Sequence, residues 1–175
     1  MSSNSNVGNK LKMTVISAVF GALLIAVQIA LGFLPNVELV TTLLLVFAAV
    51  CKGYTFISVY TFVIAEGLIY GFNLWWLGYL YVWLIPTIAG ILMRNVKNPL
   101  FHAAFSALFG LMFGILMSPP DLLLGKHEAL AYIIAGIPFD VMHCIGNGIL
   151  TALLYLPLKT TLEKTVNKLQ NKKED

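Results

Sequence analysis

The chain has 175 residues, of which 59% are apolar and 11% charged, with a formal net charge of +3; mean hydropathy is +0.86. Soluble globular domains carry about 25% charged residues, so these values exclude a water-soluble fold and point to a single all-α integral membrane domain. Little polar sequence is left for an appended ATPase, so the energy for any transport has to come from an ion gradient or a partner.

Residues 1–10 read as a polar N-terminal tail without a signal-peptide cleavage pattern. A spanning helix needs about 20 apolar residues. The uncharged stretches give six spans near 11–34, 38–51, 54–72, 77–94, 98–118 and 138–158. The second is short, which leaves a five-span bundle as the competing arrangement. Residues 11–160 then form a six-helix membrane domain and 161–175 a basic tail. With both termini cytoplasmic, Lys10, Lys12, Lys52, Arg94, Lys97, Lys159, Lys164, Lys168, Lys172 and Lys173 all lie inside and only Lys126 lies outside. This charge bias follows the positive-inside rule and favours an even number of spans.

Proline and glycine punctuate the segments. Gly32 and Pro35 close the first span, Asn98 and Pro99 form an N-cap and first-turn pair, and Pro119 and Pro120 stop the fifth. A last span drawn back to Ala129 would be about 45 Å long at 1.5 Å per residue. We therefore expect a break at Gly136, a final helix starting around Pro138, and a short outer helix or re-entrant cap over 127–135. After Pro157, the apolar positions Leu158, Leu162, Val166 and Leu169 alternate with lysines, as in an amphipathic helix on the cytoplasmic surface.

Two cysteines give no disulfide framework, and His102, His127 and His143 share no metal-ligand spacing. No P-loop is present, so ATP binding is not expected of this chain. The polar residues inside the spans carry the remaining information, because ionisable groups in a bilayer face cavities or partners. Glu66, Tyr70 and Asn73 fall on one helical face, and Asp140, His143 and Asn147 on another. Such sets serve either as interhelical glue or as a binding surface. Trp76, Tyr79 and Trp83 share a face, either as part of an interfacial aromatic belt or as a stacking wall for a heteroaromatic ligand. Ala18, Ala22, Ala26 and Ala30 recur at every fourth position of the first span, a stripe along which another helix can approach closely.

The six spans, the alanine stripe, the loop Leu34 to Glu38 and the stretch Ile137 to Asn147 together resemble the substrate-binding S components of energy-coupling factor (ECF) vitamin importers, over essentially the whole chain. The resemblance implies a cell-membrane subunit that is not an enzyme and has no cofactor of its own. It would capture a vitamin from outside and work with a transmembrane coupling protein and two ATP-binding-cassette ATPases, toppling in the bilayer as the partners hydrolyse ATP. It also implies that Ala18, Ala22 and Ala26 meet the coupling protein. No nucleic-acid partner is expected.

The candidate ligand-binding residues are Asn36, Glu38, Glu66, Tyr70, Trp76, Tyr79, Trp83, Asp140, His143 and Asn147. Acceptors outnumber cations on the outer side, which suits a ring bearing amino or hydroxyl donors. Hydroxymethylpyrimidine, the thiamine precursor, fits best, with pyridoxine close behind and then thiamine or riboflavin. The alternatives from other classes are a stand-alone proton-coupled carrier using Glu66 or Asp140, and an intramembrane hydrolase or transferase built on Asp140 and His143. The hydrolase lacks an evident nucleophile or metal.

Overall fold

The computed structural model describes residues 2–171 apart from Pro35. Every regular element among them is helical: α1 (Ser2–Leu31), α2 (Val40–Cys51), α3 (Thr55–Tyr70), α4 (Leu74–Val82), α5 (Leu84–Leu92), α6 (Pro99–Leu111), α7 (Phe113–Met117) and α8 (Lys126–Asn171). Short 3-10 turns occupy Lys52–Tyr54 and Pro119–Leu123. Hydrocarbon offers the backbone no hydrogen-bond partners, and helices satisfy it internally. Four helical runs, Val7–Leu31, Val40–Tyr70, Leu74–Leu92 and Lys126–Leu169, are long and apolar enough to cross a membrane; Pro99–Leu111 is a shorter apolar helix. Within Val40–Tyr70, α2 stops where Lys52 adopts φ 54 and ψ −127.

The most extensive helix contacts are α6 with α8, α1 with α3, and α2 with both α5 and α8. Small residues set how close these helices come. A Cβ on Gly21 would lie 2.6 Å from Thr61 Cβ and 2.8 Å from the Ser58 carbonyl oxygen, so no side chain fits between α1 and α3 there. Ser58 Oγ donates to the Ser17 carbonyl across the same contact at 2.7 Å. Gly90 meets the Leu45 backbone of α2, and Gly110 meets the His143 backbone of α8 at 2.7 Å from a would-be Cβ. The main core gathers Leu24, Val40, Leu43, Leu44, Val59, Phe62, Val63, Val82, Trp83, Phe109 and Met117. A buried hydroxyl chain, Thr42 to Thr151 at 2.7 Å and Thr151 to Ser106 at 2.9 Å, ties α2, α8 and α6 together.

Several boundaries follow the sequence reading. Asn98 caps α6, its Oδ1 accepting the Leu100 N–H at 3.0 Å with Pro99 in the first turn. Pro119 and Pro120 follow the end of α7. Pro35 lies outside the described residues, as do Lys172 and Lys173.

Other expectations are overturned. The polar start is helical from Ser2 rather than a tail preceding the first helix. The expected break at Gly136 does not occur: α8 runs unbroken for 46 residues with Pro138 and Pro157 inside it. At 1.5 Å per residue that is about 69 Å, more than twice the roughly 30 Å of a bilayer core. Each proline removes one N–H, a local loss that long membrane helices absorb. The Glu66, Tyr70 and Asn73 face also ends early, because α3 stops at Tyr70, Gly71 takes φ 91, and Asn73 is the extended residue before α4. The expected fifth span is two helices, α6 and α7, meeting at Met112.

Beyond Pro157, α8 does not stand clear of the bundle. Val166 is 5% exposed and packs in one cluster with Met13, Phe47 and Cys51, with Leu162 against it. Replacing Val166 by Asn buries an amide without a prepared partner, which costs about 1–3 kcal/mol. Thermal melting of the purified protein in detergent should show Val166→Asn well below wild type and Lys168→Asn, at an exposed position, close to it. Equal melting of all three would mean that this end of α8 contributes nothing to the core.

Candidate functional site

A cavity of about 270 Å³ opens beneath the loop that joins α1 to α2. Gln28, Leu31 and Gly32 bound it on the α1 side, with Asn36, Val37 and Glu38 from the loop, Tyr79 and Trp83 from α4 and its end, Phe113 from α7 and His143 from α8. Asn36 holds φ 53, a left-handed conformation that asparagine tolerates better than most residues, and this turns the loop over the opening.

One carboxylate organises the polar side. Glu38 Oε2 accepts the Thr41 N–H at 2.8 Å, in the first turn of α2, where the helix dipole favours an anion. Its Oε1 accepts the Thr41 hydroxyl and lies 3.1 Å from His143 Nε2. Thr41 Oγ1 in turn accepts Asn147 Nδ2 at 3.3 Å. Glu38, Thr41, His143 and Asn147 are all buried, so a single network joins the loop, α2 and α8. With Glu38 ionised, His143 Nε2 carries the proton and donates.

Aromatic rings form the apolar side. Trp83 is 1% exposed and sits edge-on to Tyr79 at 5.3 Å between ring centroids. Phe113 lies 5.8 Å from Trp83 and 4.8 Å from His143, edge-on to the imidazole. Four buried polar atoms around this region have no hydrogen-bond partner: Gln28 Oε1, Trp83 Nε1, His143 Nδ1 and Asn147 Oδ1. Three of these residues line the cavity. Buried polar groups left unpaired are costly, and a ligand with matching donors and acceptors would satisfy them.

A second cavity of about 340 Å³ shares Asn36 and Phe113 with the lining of the first. Its polar wall is Asp140, 6% exposed, both of whose oxygens face the Gly114 N–H at 3.0 and 3.1 Å. That N–H is free for Asp140 because it belongs to the first turn of α7.

Of the sequence candidates, Asn36, Glu38, Tyr79, Trp83 and His143 line the first cavity and Asp140 the second; Asn147 lies behind the first, on Thr41. Like Asn147, the other three line neither cavity. Trp76 donates its Nε1 to the Val63 carbonyl at 2.8 Å, Tyr70 is exposed, and Glu66 is buried in α3 with Oε1 unpartnered. Gln28, Thr41 and Phe113 were missed. Gln28 is the only polar side chain between Ala18 and Leu34, and Thr41 follows Glu38 at a helix-capping interval, so both carried a signal. Phe113 is one of 11 phenylalanines and carried none. Ala18, Ala22 and Ala26 lie exposed on the flank of α1, while Ser17 and Gly21 take the buried side.

Comparison with family models, curated proteins and solved structures finds no match.

The Glu38 and His143 pair should behave as a unit. Removing either side chain leaves the other buried without its partner, so a double-mutant cycle with Glu38→Ala and His143→Ala should return a coupling of about 0.5–3 kcal/mol in unfolding free energy. Additive losses would mean that the two side chains do not interact.

Proposed function

We propose that this chain is the membrane-embedded substrate-binding subunit of an ECF-type vitamin importer, taking up a small heteroaromatic vitamin precursor. The observation that carries this reading is the first cavity, with rings on one side and Glu38, Gln28 and His143 on the other. At about 270 Å³ it is slightly smaller than the roughly 300–1,000 Å³ typical of drug-sized ligands. That size favours one substituted ring over riboflavin or cobalamin. Unpaired acceptors at Gln28 Oε1 and an unpaired donor at Trp83 Nε1 complement an aminopyrimidine, which presents amino donors beside ring-nitrogen acceptors. Hydroxymethylpyrimidine is therefore the first choice and pyridoxine the second.

The topology in this reading is six spans with both termini cytoplasmic. Met13 of α1 and Val166 of α8 share a cluster with Cys51, and Lys159 Nζ donates to the Arg94 carbonyl at 2.9 Å. The early part of α1 and the late part of α8 thus lie at the same end as most of the lysines, which supports an even number of crossings. The exposed alanine stripe on α1 is the face offered to the coupling protein, and ATP is used by partner subunits.

Titration calorimetry on the purified chain with hydroxymethylpyrimidine, pyridoxine, thiamine and riboflavin tests the ligand. Saturable binding of the first, weaker or no binding of the two larger compounds, and loss of about 1–3 kcal/mol in Glu38→Ala are expected. Binding of none would sink the assignment. For the partner face, Ala22→Leu and Ala26→Leu should leave ligand affinity unchanged but abolish co-purification with the coupling protein. Lost affinity with intact assembly would show that the stripe serves the bundle instead.

A further inference from the structure

The second cavity holds an acid with no lysine or arginine among the described residues that line it. Asp140 is buried, yet its two oxygens share one N–H, that of Gly114, although an ionised carboxylate has acceptor sites for about four hydrogens. None of the other residues around the cavity, Asn36, Phe113, Tyr132, Ala135, Gly136 and Phe139 among them, carries a positive charge. A carboxylate held out of water in this way is stabilised chiefly by a partner that brings charge or several donors. The cavity is large enough to admit one, at about 340 Å³, and it shares Asn36 and Phe113 with the lining of the first.

We propose that the Asp140 cavity is a subsite for a cationic substituent, an ammonium or protonated amine carried on the ring that occupies the first cavity. This inference rests on the ligand reading above and deepens it: among small heteroaromatic rings of that class, one with a positively charged arm is held more tightly than its hydroxyl counterpart. Phe113 and Asn36 stand where ring and arm would join, and the arm passes beside them to reach Asp140. The bond from Gly114 fixes the carboxylate in place, so the acid is oriented before the arm arrives.

The test uses two pairs of probes that differ only by an amine in place of a hydroxyl: aminomethylpyrimidine against hydroxymethylpyrimidine, and pyridoxamine against pyridoxine. Calorimetry at neutral pH on the full chain should give at least about tenfold tighter binding of the amine within a pair, the usual advantage of a charge-assisted hydrogen bond over a neutral one. Asp140→Asn should erase that preference, costing the amine about tenfold more affinity than the hydroxyl compound. Because Asp140→Asn can also disturb the α7 contact, Gly136→Leu serves as a second variant. A Cβ at Gly136 meets nothing nearer than Asp140 Oδ2 at 4.0 Å, so the backbone there has room for a side chain that narrows the cavity beside Asp140. It should remove the amine's advantage over the hydroxyl compound, because neither arm then reaches Asp140. Equal affinities within both pairs, or an equal loss for amine and hydroxyl in the two variants, would overturn the subsite while leaving the first cavity's ligand reading standing. Failure of all four compounds to bind wild type would overturn both.

Discussion

A carboxylate buried in a helical bundle has to be satisfied, and in this fold the Glu38 carboxylate is satisfied by residues from two places in the chain. It takes an N–H and a hydroxyl from Thr41 at the start of α2 and faces His143 from the middle of α8. The penalty for stranding such a group out of water amounts to several kcal/mol, so the loop over 32–38 cannot lift from α8 without exposing or unpairing it. The cavity beneath the loop exists because this attachment holds the loop above Trp83, Tyr79 and Phe113 instead of letting it collapse onto them. Gly110 completes the arrangement by letting α6 reach the backbone at His143, which fixes where the imidazole stands.

The remaining helices act as a frame for that attachment. Hydroxyls at Thr42, Thr151 and Ser106 lock α2, α8 and α6 beneath the cavity, and glycine contacts bring α1 to α3 and α5 to α2. A few polar atoms in the walls stay unpaired among the described residues, and each costs free energy until something satisfies it. The exposed flank of α1, carrying alanines on the side away from α3, remains free for a second function without disturbing the cavity.

How much of this was legible in the sequence depended on the range of the interaction. Composition gave the membrane class, and local chemistry gave the α6 cap at Asn98 and the stop at Pro119. Individual site residues such as Glu38, Trp83 and His143 stood out because polar or aromatic groups in a lipid-facing chain need a reason. The pairing of Glu38 with His143, 105 residues apart, was not legible, because helix order around the bundle decides it. Length arithmetic misled at Pro138: it assumed that a helix is no longer than a bilayer is thick, whereas α8 runs through Pro138 for 46 residues. Periodicity misled at Asn73, where Gly71 breaks the helix two residues earlier. The Asp140 to Gly114 contact depends on a break at Met112 that no proline or glycine at that position announces.

The central claim is that a single heteroaromatic ring sits against Trp83 beneath the 32–38 loop. The most direct measurement is fluorescence titration of a variant carrying Trp75→Phe and Trp76→Phe, which leaves Trp83 as the only tryptophan. Hydroxymethylpyrimidine should quench or shift its emission saturably, with a midpoint equal to the Kd from calorimetry on the same variant. Calorimetric binding with no change in Trp83 emission would place the ligand elsewhere and contradict the account.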